Sequence, residues 1–378
     1  MYKWWTPFFL LCGISFVANA QDQYLKVGLL DNQKIYSCAV QITRGVYELM
    51  VDGQKMGELN EKDLIQFQYS QEIQATIKGQ SVTGKTIQLK GNSFVNQFNL
   101  NLQQSKEIPH QDHLLLTTTG SGIQLVNELK LEHYVAGVVE AEAGYALPDE
   151  YYKLQAILSR TYALKNLDRH AHEGFSVCDK VHCQVYHHRC SRSQIFEATV
   201  ATNALVVVDD ELRLINTIFH SNCGGETCNS EDVWHTPLSY LRCVEDSFCV
   251  KASKATWTKS LPKAEVDRYF GTNLIEGAFD PDLFNFCQME ERWADQELFN
   301  KPLPKVRKDL GLRSTFFYLE EKGDSVIFVG RGYGHGVGLC QQGGIEMAKL
   351  GYSYVDILKH YYQGIHIINR RAIQFFLN

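Results

Sequence analysis

The chain has 378 residues, 44% of them hydrophobic and 12% aromatic, and a formal net charge of −6. That length accommodates two or three domains, or one large fold with an appended module. The acidic balance and the absence of a basic stripe argue against nucleic acid as a partner, and no fixed-period repeat or low-complexity tract is present.

Met1 to Ala20 carries a basic start at Lys3, the apolar run PFFLLCGISFVA, and Ala18-Asn19-Ala20 before Gln21. That three-part pattern predicts a secretory leader, and hence an exported protein of the periplasm or cell envelope. The run is too short for a good spanning helix, so membrane attachment would require the leader to be retained. Export sets the redox context. Of eleven cysteines, Cys12 lies in the leader; of Cys38, Cys178, Cys183, Cys190, Cys223, Cys228, Cys243, Cys249, Cys287 and Cys340, most are expected to be paired or metal-bound. Their spacing does not set a connectivity.

Residues 21–127 read as a small β module. Segments such as YLKVGLL, KIYSCAVQI and GVYELMVDG alternate apolar and polar residues between Gly, Asp and Asn turns. Nothing titratable clusters there. Residues 128–378 read as a mixed α/β part, giving an α+β protein overall, with residues 251–325 mixed and polar.

The second part starts with two helices in Leu131 to Leu167. Leu131, Tyr134, Val135, Val138, Val139 and Glu142 fall on one helical face, so Glu142 ends an apolar stripe. Desolvation there predicts a raised pKa, whereas Glu140, about 200° around the helix, falls in a wetter place. A carboxylic acid kept protonated near neutral pH suits protonation of a leaving-group oxygen. The competing reading is a carboxylate that caps the helix C-terminus or pairs with Arg160. Further on, ALVVVDDELRLINTIFHSN suggests a hairpin-like pair, Leu283 to Leu298 a helix, and Ser353 with Asp356 a capping pair before the last helix.

Three constellations carry chemistry. His172, Cys178, His182 and Cys183 form a two-imidazole, two-thiolate set suited to zinc, although disulfides are an equal reading in an oxidising compartment. Four protein ligands would make such a zinc structural. The loop Gly330 to Gly338 has glycine at every second position, which calls for close backbone approach, and places His335 within reach of a ligand. It matches neither the dinucleotide fingerprint nor the phosphate loop. The third is Phe219 to Thr227, where a Gly224-Gly225 turn offers backbone N–H groups.

In order, YVAGVVEAE, KLQAILSRTYALKN, VCDKVHCQVY, FHSNCGGETCNSEDVW and GRGYGHGVGLCQQGG resemble the stage II sporulation protein D and amidase-enhancer family over about residues 128–250 and 326–366. The resemblance implies an exported peptidoglycan lytic transglycosylase, which cleaves between N-acetylmuramic acid and N-acetylglucosamine without water and leaves a 1,6-anhydro sugar. It places the catalytic acid on Glu142 and structural zinc on His172, Cys178, His182 and Cys183. It places groove-lining positions on Gln155, Ser159, Arg160, Ser221, Gly224, Gly225, His335 and Gln341. Tyr145, Tyr152, Trp234 and Tyr333 are candidates to stack on sugars. Two departures stand out: Ala143-Gly144 replaces a common Met-Pro, loosening the turn behind the acid, and cysteines stand at 223, 228 and 340 where small hydroxyl residues are usual. A non-catalytic amidase enhancer, which binds glycan strands and stimulates a partner cell-wall amidase, is the alternative. A thiol hydrolase using Cys340 and His335 is weaker, since oxidation competes for exported thiols.

Overall fold

The computed structural model describes residues 23–31, 33–102, 106–271, 286–288, 292 and 297–372. The leader lies outside these residues, as does most of the helix expected near Leu283 to Leu298, of which Glu297–Leu298 is a two-residue strand. The architecture is α+β, with a strand module first and mixed helices and short strands after it.

In the strand module the period-two pattern works as expected. Ser37–Arg44 buries Cys38, Val40 and Ile42 and sends the residues between them to the other face. Among the described residues a seven-stranded sheet runs, in spatial order, Val177–Cys178, Tyr24–Leu29, Ile123–Lys130, His113–Thr118, Thr86–Gly91, Tyr47–Val51, Gln54–Leu59. A six-stranded sheet runs Ile108–Gln111, Gln97–Leu102, Ser37–Arg44, Leu64–Tyr69, Ile73–Ile77, Gln80–Gly84. Their apolar faces share one core, in which Tyr47 of the first sheet meets Phe98 of the second edge-on at 6.2 Å. One strand of the first sheet comes from far along the chain: Val177–Cys178 adds to its edge, parallel to Tyr24–Leu29.

Strand Ile123–Lys130 runs directly into α1 (Leu131–Ala143), whose Leu131, Tyr134, Val135, Val138 and Val139 are buried in the same core. Helix α2 (Asp149–Lys165) starts after Pro148 with Asp149 and Glu150 in its first turn, where acidic groups suit the helix dipole. It is apolar on two sides. Tyr152 and Ala156 join the first core, whereas Tyr151, Leu154, Ile157 and Leu158 join a second. Helix α3 (Ser193–Ala201) packs on α1 and α2.

The second core gathers strand Leu205–Val208, the short helix α4 (Glu231–Trp234) and the C-terminal elements. The expected hairpin is formed but short: Val208 and Leu214 bridge antiparallel, Asp209 N–H reaches Arg213 O at 2.9 Å, and Ile215 N–H reaches Val207 O at 3.2 Å. Asp209 holds its turn, its Oδ1 accepting the N–H groups of Glu211 and Arg213. Leu205–Val208 also pairs with the distant strand His366–Asn369.

Residues after 255 build a three-stranded antiparallel sheet with Ser325–Arg331 between Thr256–Pro262 and Phe316–Lys322. Helices α5 (Lys263–Phe270) and α6 (Leu303–Asp309) cover it through Val266, Leu303 and Val306. The glycine loop then leads through Leu339–Cys340 into α7 (Gln341–Lys349) and α8 (Tyr354–Tyr361). The capping box at Ser353 and Asp356 is formed as expected. Among the described residues no helix is long and apolar enough to cross a membrane.

Candidate functional site

Glu142 is one residue from the end of α1, and Gly144 ends the helix with a φ of 74° that any larger residue would resist. The turn is tighter than the missing Met-Pro suggests. The buried Tyr152 hydroxyl donates to Gly144 O at 3.3 Å and accepts Leu147 N–H at 3.1 Å, so Tyr152 ties the turn and is not free to stack on a sugar. The Glu142 carboxyl is half-buried, and its Oε1 accepts the Val185 N–H at 3.1 Å. Burial raises its pKa above the ordinary carboxyl value, and the Val185 bond and nearby His187 only partly offset this. Glu140 goes the other way. Against its own desolvation, short bonds from the Ser191 hydroxyl and N–H, both 2.6 Å, hold its pKa down.

Glu142 opens onto a cavity of about 530 Å³, also lined by Tyr162, Arg169, His182, Cys183, Phe219 and Trp234. Its proposed pairing with Arg160 is absent; Arg160 forms a fork with Glu132 instead.

At one end of this cavity lies a cysteine–histidine cluster. Its members are His170, Cys178, His182 and Cys183, whose ligand atoms all lie within 4.8 Å of one another. His172, the expected fourth member, is not among them: its side chain is 78% exposed and meets Glu173 at 3.4 Å. The cause is the 3₁₀ turn Ala171–Glu173, which turns His170 inward and His172 out. His170 Nδ1 is 2.6 Å from Glu173 Oε1, which leaves Nε2 3.4 Å from Cys183 Sγ. His182 Nδ1 stands 3.9 Å from Cys178 Sγ and 3.8 Å from Cys183 Sγ. A tetrahedral zinc with the usual bond lengths separates its ligand atoms by about 3.3–3.8 Å, so these donors are near the spacing such an ion needs. A carboxylate behind a ligating imidazole is the usual arrangement for fixing its tautomer.

The glycine loop and the Ser221–Gly225 bend interlock. Asn222 and Tyr333 exchange backbone hydrogen bonds, and strand Phe219–His220 pairs with Leu339–Cys340. Gly224 has a φ of 80°, and a Cβ there would stand 2.7 Å from Arg331 Cβ, so this glycine serves loop-to-loop approach. Its N–H is already taken by Asn222 Oδ1 at 2.7 Å. Gly225 accepts the Asp246 N–H, and Ser221 Oγ is 3.3 Å from Lys254 Nζ. His335 is less available than its flanking glycines suggest. Nδ1 accepts the Val337 N–H and Nε2–H donates to Phe219 O, each at 3.1 Å, while burial and nearby Arg307 push its pKa down to about 4. Its ring packs against Trp234, with centroids 5.1 Å apart. Gln341 opens α7, half-buried.

Three expected groove residues are in the interior. Gln155, Ser159 and Arg160 are 0% exposed, because the part of α2 that carries them is packed among α1, α3, strand Leu205–Val208, α7 and α8. Gln155 Nε2 bonds Tyr151 Oη at 2.9 Å; Arg160 also donates to Leu205 O at 3.0 Å and Thr199 O at 3.2 Å. Sequence reasoning missed His170, Glu173 and Arg169. The Glu173 three residues after His170 was the available signal.

The site of this α+β protein is thus a desolvated carboxyl group at a helix end, facing an aromatic-lined cavity beside a cysteine–histidine cluster. Comparison with known proteins narrows this. The family profile described as "Stage II sporulation protein" matches residues 119–208. Stage II sporulation protein D of Bacillus subtilis is 30% identical over 273 residues, covering 68% of this chain and 78% of that protein. The protein of the same name from Bacillus amyloliquefaciens is 30% identical over 259 residues, covering 64% and 75%. The amidase enhancer of Bacillus subtilis is 23% identical over 286 residues, covering 60% of this chain but 39% of that protein. The chain belongs to the stage II sporulation protein D family, which is cell-wall related.

Proposed function

We propose that the protein is an exported lytic transglycosylase acting on peptidoglycan glycan strands. The observation that carries this reading is the Glu142 carboxyl, desolvated, anchored through one oxygen and facing a cavity. With Oε1 held by Val185 N–H, Oε2 is the oxygen left to carry the proton. Protonated Glu142 donates to the glycosidic oxygen as the C1–O bond breaks. The resulting carboxylate accepts the proton of the muramoyl 6-hydroxyl as that oxygen attacks C1, so a single carboxyl group serves both steps. A second carboxylate, needed when water is the nucleophile, is not required. Trp234, 43% exposed, and Tyr162 offer faces on which a sugar ring can stack. A second trench of about 800 Å³ runs past Val185 and His187, and Val181 borders both, which suits an extended strand.

His170, Cys178, His182 and Cys183 would hold a structural zinc, with no open coordination position. Cys183 is two residues from Val185, so such an ion would fix the segment that positions Glu142. Ligation through His182 Nδ1 places the proton on Nε2, and the 3.4 Å contact from Arg169 to that nitrogen would open.

Mass spectrometry of products from peptide-free glycan strands tests the reading. Anhydro ends support it, whereas reducing ends would make the protein a hydrolase. The relative named amidase enhancer favours a second reading, in which the chain binds glycan and stimulates a hydrolase. No product alone, with faster release by an added amidase, would select that reading.

A further inference from the structure

Behind the Ser221–Gly225 bend three segments meet. Cys223 from the bend, Asp246 and Cys249 from the following loop, and Cys340 at the N-cap of α7 bring three Sγ atoms and a carboxylate oxygen within 4.8 Å of one another. All four residues are 0% exposed. Cys223 Sγ lies 3.3 Å from Cys249 Sγ and 3.2 Å from Asp246 Oδ2, close to the edge of a tetrahedral zinc site, about 3.3–3.8 Å.

The surroundings suit metal-bound thiolates. The N–H groups of Cys223 and Gly343 point at Cys340 Sγ, at 3.3 and 3.4 Å. Asp246 Oδ1 accepts the Phe248 and Cys249 N–H groups, which leaves Oδ2 turned toward the sulfurs, with the Tyr361 hydroxyl donating to it at 2.8 Å. None of these partners is a cation, and a buried carboxylate without one is costly. The cluster closes only because residue 343 is glycine: a Cβ there would stand 2.1 Å from Tyr361 Oη and 2.3 Å from Asp246 Oδ2.

We infer that Cys223, Asp246, Cys249 and Cys340 form a second metal site, a closed three-thiolate, one-carboxylate set that takes zinc(II). Each thiol loses its proton to the buffer as it ligates, and the excess negative charge is met by the surrounding N–H and hydroxyl donors. The ion would staple the bend, the 246–249 loop and α7, and so brace strand Phe219–His220, whose Phe219 lines the cavity beside Glu142. This does not depend on the transglycosylase reading: a chain that binds this zinc and cleaves nothing satisfies it.

The test is metal content of the full chain, prepared without reductant and saturated with zinc. Cys249→Ser and Cys340→Ala each hold one equivalent less than wild type, and adding either to Cys178→Ser removes one equivalent more than Cys178→Ser alone. Should those variants fail to fold, the wild-type chain decides by alkylation. Cys223, Cys249 and Cys340 resist iodoacetamide until a chelator strips the metal, and then all three react. The inference is overturned if peptide mapping finds a Cys223–Cys249 disulfide, if chelation leaves alkylation at Cys340 unchanged, or if folded Cys249→Ser binds as much zinc as wild type.

Discussion

Glu140 and Glu142 share a helix end, but Ser191 gives the first two short hydrogen bonds while burial dominates the second. The consequence for catalysis is direct. Glu142→Gln keeps an oxygen for the Val185 N–H and removes only the transferable proton, so strand cleavage is expected to fall about 10²- to 10⁴-fold. Release of anhydro-muropeptides at the wild-type rate by this variant would sink the assignment. The same residue has a stability signature. Its folded pKa lies above the unfolded value, so the native state holds more protons between the two, and stability falls as pH rises through that window. Glu142→Gln should therefore melt no lower than wild type at neutral pH, with any advantage vanishing below the ordinary carboxyl range. Melting curves at two pH values check the sign.

His170 and His172 separate on one measurement. His170→Ala should lose the zinc of the cavity cluster and His172→Ala should keep it, read as metal per chain; the reverse outcome would restore the sequence-based ligand set. Arg160 makes a different prediction from the one its motif suggests. Its guanidinium is buried against Glu132, whose side chain is 20% exposed, and stripping one partner from such a pair costs about 3–5 kcal/mol. Partial solvent access to Glu132 puts Arg160→Met at the lower end. Urea unfolding should show that loss, while the folded fraction still cosediments with sacculi. Sequence could locate Glu142 because one stripe on one helix suffices. It could not place Arg160, Gln155 or Ser159, because burial of α2 depends on elements that arrive from 40 to 200 residues later.

At the scale of elements, α1 and the segment Tyr186–His188 are fitted to each other at Gly137. A Cβ there would stand 2.5 Å from the Tyr186 ring and 2.7 Å from His188 O. Alanine ordinarily favours a helix over glycine by about 1 kcal/mol, but here the backbone oxygen cannot yield. Gly137→Ala should lift this segment and carry Val185 N–H away from Glu142. The expected readout is lower cleavage with helix content unchanged by far-UV circular dichroism; wild-type cleavage would show the segment to be independent of α1. The alternating strands, both long helices and the Ser353 capping box were legible because each follows a local period or pair. The pairing of Leu205–Val208 with His366–Asn369 was not, since no local pattern encodes a partner that far along the chain.

For the whole molecule, the strand module is built into the site. Strand Ile123–Lys130 lies between Tyr24–Leu29 and His113–Thr118 and runs into the helix that carries Glu142. Tyr24–Leu29 in turn fastens the cluster segment: Gly28 is opposite Cys178, Ser176 N–H reaches Lys26 O at 2.9 Å, and Asp179 accepts the Leu30 N–H at 2.8 Å. A fragment that starts at residue 119, where the family match begins, would keep α1 and α2 but expose the apolar face that Leu25, Val27, Leu114 and Leu116 cover. It would also leave Cys178 without its strand partner. Such exposed faces and unpaired edges favour association over folding. The fragment 119–378 should therefore lack near-UV circular dichroism and a cooperative melt, and retain less zinc than the full chain. A cooperatively melting, zinc-loaded fragment would show instead that the module is an accessory to a self-sufficient catalytic part.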